Sequence, residues 1–167
     1  LTIGTSSNPW AGNITINDFT FNNVSSGSAI TVYTTSGDIT LDNVTVSQQG
    51  GDNNTAYIDS QSGDIIVQNS SFDGNNSGSN RNQGFHGETN TGAITVSDTT
   101  FRAARDCTSF ILFCLIAATE NSHGATLSAP TVTLTNVTAF NNDLSGIEIN
   151  NANSVWLNNV VSYNNGT

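Results

Sequence analysis

Gly37-Asp38-Ile39-Thr40-Leu41-Asp42-Asn43-Val44-Thr45-Val46 has relatives along the whole chain, and their spacing decides the fold. Before it stands Gly12-Asn13-Ile14-Thr15-Ile16-Asn17-Asp18-Phe19-Thr20-Phe21. After it come Gly63-Asp64-Ile65-Ile66-Val67-Gln68-Asn69-Ser70-Ser71-Phe72 and Gly92-Ala93-Ile94-Thr95-Val96-Ser97-Asp98-Thr99-Thr100-Phe101, then two looser copies at 131–137 and 154–160. The first aliphatic residues of the copies are Ile14, Ile39, Ile65, Ile94, Val132 and Val155, with steps of 25, 26, 29, 38 and 23 residues. A step in the twenties that lengthens only by insertion marks a solenoid, in which each coil packs on its neighbours.

Within each copy aliphatic residues alternate with Thr, Asn or Asp, the two-residue period of a strand with one buried face. Such a strand cannot bury that face alone. One copy per coil would stack the six anchors into one column and Ile16, Leu41, Val67, Val96, Leu134 and Leu157 into a second, with neighbouring strands parallel and about 4.8 Å apart. A third column runs Phe21, Val46, Phe72, Phe101, then Phe140 and Tyr163 one position later, a shift that predicts a different turn in the last two coils. A further short strand recurs about nine residues before the next anchor, at Ala29-Ile30-Thr31-Val32, Ala56-Tyr57-Ile58, Phe85 and Gly146-Ile147-Glu148-Ile149. The reading is therefore all-β: a single solenoid domain over residues 1–167, with about six coils of three short strands and insertions in coils three and four. The Asn or Asp four residues after each anchor (Asp18, Asn43, Asn69, Asp98, Asn136, Asn159) predicts a side-chain ladder on left-handed backbone, the alternative being a ligand-binding column.

With this Gly-x-Ile-x-aliphatic-x-Asn/Asp pattern and the turns Phe21-Asn22-Asn23, Phe140-Asn141-Asn142 and Tyr163-Asn164-Asn165, the chain resembles a right-handed parallel β-helix of the pectate-lyase-like superfamily, in its repeat-rich bacterial surface-protein form. The resemblance implies a fold rather than an activity, because function sits in particular residues. No pectate-lyase catalytic sequence has a counterpart here, so no catalytic residue is assigned.

Composition narrows the partners. The chain carries a formal charge of −10, with no Lys and three Arg, so nucleic acid and anionic membrane, which attract basic patches, are excluded. No apolar run reaches the roughly 20 residues of a membrane span. Cys107 and Cys114 flank the apolar octet around Phe110; in an exported protein they would close a small loop as a disulfide, and in a cytosolic one they would be buried thiols. The octet itself reads either as a core strand or as an exposed interface. Asp38 and Asp64 follow the opening Gly of adjacent coils, where stacked carboxylates would take either Ca²⁺ or turn hydrogen bonds. No other cofactor is implied. Trp10 reads as an edge cap or a sugar-stacking ring. The outward Thr15, Thr40, Thr95 and Thr133 would suit glycan or ice, but Ile66 and Trp156 break the file.

All three Arg and both His lie between residues 81 and 123, the region of the insertions. Insertions in a solenoid often carry binding, so Arg81, His86, Glu88, Arg102, Arg105, Glu120 and His123 form the candidate patch. A lyase would need a cation to neutralise a uronate and a base for its α-proton, and a glycosidase two carboxylates. The bland alternative is that these side chains brace long loops.

Both ends read as uncapped, which predicts a segment of a longer solenoid or a subunit that stacks into a rod or filament. The expectation is thus a non-catalytic extracellular or cell-surface component, an adhesin stalk, sheath or fibre, self-associating or continued by further coils. A carbohydrate-active enzyme or glycan-binding module is the alternative.

Overall fold

The computed structural model describes residues 1–24, 27–48, 54–74, 84–102, 123–142 and 144–166. Among them every strand pair is parallel, and the strands fall into two sheets wound around one core. In coil one, β1 (Thr2–Ile3) and β2 (Trp10–Ala11) lie in the first sheet and β3 (Ile14–Val24) in the second. Coil two contributes β4 (Ile30–Ser36) and β5 (Ile39–Gln48) in the same way. In coil three β6 (Ala56–Ser60) is followed by β7 (Ile65–Gln68) and β8 (Ser71–Asp73), and in coil four β9 (Phe85–Thr89) by β10 (Ala93–Ser97) and β11 (Thr100–Arg102). Coils five and six return to the two-strand form with β12 (Ala125–Ser128), β13 (Thr131–Phe140), β14 (Ile147–Asn150) and β15 (Ser154–Tyr163). From the first coil to the sixth the chain makes about five turns.

The register is the one the repeat demands. Ile14 pairs with Ile39, Ile39 with Ile65, Ile65 with Ile94, Ile94 with Val132, and Val132 with Val155. The column from Ile16 to Leu157 is equally continuous. Between the first and last coils these side chains are buried, and each fully buried aliphatic contributes about 1.5–3 kcal/mol relative to an exposed one.

Three short strands per coil is correct as geometry, although the second and third form one bent strand in coils one, two, five and six. The bend is the Asn/Asp position: Asp18, Asn43, Asn69, Asp98, Asn136 and Asn159 all have φ between 48° and 54°. One left-handed residue resets the alternation, so Ile39 and Leu41 point inward before the corner and Val44 and Val46 after it. The predicted ladder is present but segmented. Asn43 Nδ2 donates to Asp18 Oδ1 at 2.7 Å, Asn136 Nδ2 to Asp98 Oδ1 at 2.9 Å and Asn159 Nδ2 to Asn136 Oδ1 at 2.9 Å, while Asn69 turns to Asp42.

One column differs from expectation. Phe101 is in register with Ala139, and Ala139 with Ser162, so Ala139 and Ser162 continue the inner file. Phe140 and Tyr163 face outward and stack on each other with ring centroids 5.3 Å apart. The last two coils keep the same path here; large aromatics simply occupy the next, outward position. Directly after the corner, the buried file Val44, Ser70, Thr99, Val137 holds two hydroxyls. Ser70 Oγ donates to Gln68 O and accepts the Val44 N–H, and Thr99 Oγ1 donates to Ser97 O, which satisfies groups whose burial would otherwise cost stability.

The turn before each of the first four anchors holds a glycine, and at Gly37, Gly63 and Gly92 the backbones of adjacent coils touch. A Cβ on Gly63 would lie 1.8 Å from Gly37 O, and Gly37 itself has φ +98°. Gly63→Ala must therefore push two coils apart, and we expect a loss of about 1–3 kcal/mol in urea unfolding. An unchanged midpoint would show that the coils are not in contact at this turn.

Candidate functional site on the outer face of the first sheet

The first sheet places chemistry on its outer face by simple alternation. Ile30, Val32, Ala56, Ile58, Phe85, Ala125 and Leu127 point into the core. The residues between them face out, and parallel register stacks them into two files. Thr31, Tyr57, His86, Thr126 and Glu148 form one; Tyr33, Asp59, Glu88, Ser128 and Asn150 form the other.

The Tyr57 ring lies flat on the His86 imidazole, centroids 4.7 Å apart and planes 3° from parallel, with Tyr33 tilted beside it at 5.5 Å. His86 Nε2 is 3.6 Å from Glu88 Oε2, and His123 Nε2 is 3.2 Å from Glu148 Oε2. His86 Nε2, His123 Nδ1 and Thr126 Oγ1 are buried without a hydrogen-bond partner. Asp59 and Glu88 are direct neighbours across two coils. Partial burial, reinforced by the Glu88 charge and opposed by His86, raises the Asp59 carboxyl above its ordinary range. Burial, followed by the charge of Asp59, pushes the Tyr57 phenol up to about 12. The face thus combines two neighbouring carboxylates with a stacked phenol–imidazole pair. Such a surface can accept hydrogen bonds from a hydroxyl-rich ligand or exchange a proton with it.

Of the residues predicted from sequence, His86 and Glu88 lie together on β9, and His123 approaches Glu148 rather than that pair. Arg102 is engaged on the second sheet, where it donates to Asp73 Oδ2 at 3.1 Å and sits 6.0 Å above the Phe140 ring. Arg81, Arg105 and Glu120 lie outside the described residues, as do Cys107, Cys114 and the apolar octet. Tyr57, Asp59, Thr126 and Glu148 were missed; reading the outward positions of the short strands, rather than only their apolar ones, would have found them. Asp38 and Asp64 act as clamps between turns, Asp38 Oδ1 accepting the Asp64 N–H at 3.0 Å and Asp64 Oδ1 the Ala93 N–H at 2.8 Å. Among the described residues no group of three or more His, Cys, Asp and Glu is arranged to hold a metal ion, and no helix is long and apolar enough to cross a membrane. Trp10 is exposed at the first-sheet edge, beside β4.

No protein-family model matches the chain, and neither a characterised protein nor a solved structure matches it at a significant level.

Two titrations check this electrostatic picture. Because Asp59 holds its proton more tightly when folded, its favourable contribution is intact below the unfolded carboxylate pKa and is lost as pH rises through the raised folded value. Asp59→Asn should therefore be more stable than the parent at pH 7 and lose that advantage near pH 3; an equal difference at both pH values would contradict it. In an ultraviolet titration one tyrosine should ionise only near pH 12, and Tyr57→Phe should remove that late step.

Proposed function

We propose that this chain is a non-catalytic structural β-solenoid, a stalk, sheath or fibre component that associates through its coil ends and insertion loops or is continued by further coils of the same polypeptide. The observation that carries the reading is the unbroken coil-to-coil register, a core built by repetition that further coils, of the same polypeptide or of another copy, would extend. Val155 and Leu157 are 44% and 60% exposed, whereas the same positions in coils two to five are buried. The surface of hydroxyl and amide side chains with few cations supports an extracellular or cell-surface setting, in which Cys107 and Cys114 would be oxidised. Membership of the pectate-lyase-like β-helices, in their bacterial surface-protein form, rests on the repeat pattern alone.

Sedimentation velocity across a micromolar concentration series, with negative-stain images, tests this. Association that grows with concentration and is abolished by Leu157→Asp is expected. Discrete monomers at every concentration would defeat association between copies.

A second reading, glycan binding or carbohydrate cleavage, is favoured by the Asp59–Glu88 pair beside the Tyr57–His86 stack. Carboxylates accept sugar hydroxyls, and glycoside hydrolysis ordinarily uses two of them. Acidic and neutral polysaccharides assayed with the parent, His86→Ala and Glu88→Gln decide it: neither binding nor turnover, or turnover indifferent to both changes, removes it.

A further inference from the structure

The outer face of the first sheet changes height at coil five. In the file Tyr57, His86, Thr126, Glu148 the short Thr side chain stands between an imidazole and a carboxylate. Tyr57 covers one face of the His86 ring, with the two planes 3° from parallel, so the other face of that imidazole is turned along the file toward Thr126. Two His–Glu pairs flank the same hydroxyl. His86–Glu88, at 3.6 Å, lies on one side and His123–Glu148, at 3.2 Å, on the other, and both glutamate side chains are 40% exposed. Thr126 itself is only 8% exposed, and its Oγ1 has no hydrogen-bond partner. A buried hydroxyl left in that state costs stability, which a hydrogen-bonding ligand would restore.

Charge decides what kind of ligand fits. Asp59, Glu88 and Glu148 stand on this face, the chain has no Lys, and Arg102, the one Arg among the described residues, is engaged with Asp73 on the second sheet. Carboxylates only accept, and the Thr126 hydroxyl accepts as readily as it donates, so the ligand must bring N–H donors and positive charge. A metal ion draws its donors to within about 2–2.5 Å of one point, and no three His, Cys, Asp or Glu side chains among the described residues are arranged in that way. A polyatomic cation reaches farther. The guanidinium group carries five N–H donors in a rigid planar fork, binds carboxylates through two of them at once and stacks on aromatic rings, whereas an ammonium is a compact point charge with no flat face to lay on His86.

We propose that the notch over Thr126 binds the guanidinium group of an arginine side chain from a partner protein, stacked on the far face of His86 and hydrogen-bonded to Glu88, Glu148 and Thr126 Oγ1. Thr126 becomes accessible when Glu148 swings away from His123, a rotation its exposure allows. The incoming cation then replaces His123 as the partner of that carboxylate. This inference goes beyond both readings above, since it concerns neither the association of coils nor sugar chemistry, and it stands whichever of them holds.

The chain has only two histidines, so their imidazole Cε1–H signals in a proton NMR spectrum read the site directly. The probes are N-acetylarginine N-methylamide and its lysine and citrulline counterparts, titrated into the parent and into Glu88→Gln, Glu148→Gln and Thr126→Val, each first shown to be folded by circular dichroism. The arginine compound should shift both signals saturably in the millimolar range. The lysine compound should bind several-fold more weakly, and citrulline, which keeps the shape but not the charge, should give no saturable shift. Each Gln variant should weaken arginine binding about tenfold, and Thr126→Val a few-fold. Citrulline or lysine binding as well as arginine, an affinity unmoved by both Gln variants, or no saturable shift in the folded parent would overturn the proposal. Shifts produced instead by calcium chloride or by a neutral oligosaccharide would assign the notch to a metal ion or a glycan and overturn it equally.

Discussion

Everything in this molecule depends on parallel strands stacked in register about 4.8 Å apart, because that spacing puts each side chain directly against its counterpart one coil away. The rule has different consequences for different chemistry. Aliphatic on aliphatic excludes water on both sides and needs no further provision. Amide on amide works because Asn both donates and accepts, so a file of them satisfies itself. Glycine on glycine allows the turns to touch, which is why the Gly37–Gly63 contact has no room for a side chain. Carboxylate on carboxylate has no such solution, and each instance needs a donor from elsewhere.

The fold was legible because a stacked coil repeats its constraints at a near-constant interval. The files begun by Ile14 and Ile16 could be followed through all six coils from spacing alone, and the left-handed corner was visible as a recurring Asn or Asp. Composition misled where size and direction part company. Phe140 and Tyr163 look like core residues because they are large and aromatic, but parity after the corner places small Ala139 and Ser162 inside. The buried hydroxyls of Ser70 and Thr99 were equally hidden, since a polar residue in an apolar file is understood only when the carbonyl and amide it serves are known.

The candidate site was half legible for a related reason. His86 and Glu88 stood out as rare residue types in a chain of Thr, Asn and Ser. Tyr57 and Asp59 belong to a regular strand twenty-nine residues upstream, and nothing local marks them as neighbours of β9; only the coil register makes them so. Arg102 shows the opposite error. Closeness in sequence to the insertions suggested a shared patch, but its strand lies in the other sheet and its guanidinium already serves Asp73 and covers Phe140.

Charge is where the stacking rule is most informative. The chain is strongly acidic, and a solenoid cannot scatter carboxylates freely, since any position repeated is a position stacked. Asp18 and Asp98 therefore stand at the start of ladder segments, where only an acceptor is required, and Asp42 receives the amide of Asn69, which with Gln68 holds its carboxyl below the ordinary range. Asp38 and Asp64 each take a backbone N–H from the next turn. Asp59 and Glu88 are different: they meet across adjacent coils with no amide between them, and the resolved relief for Asp59 is the nearby His86 ring. Among the described residues this pair keeps a mutual repulsion, eased by His86, beside a stacked phenol. Asn at either position would build a better rung, because an amide both donates and accepts.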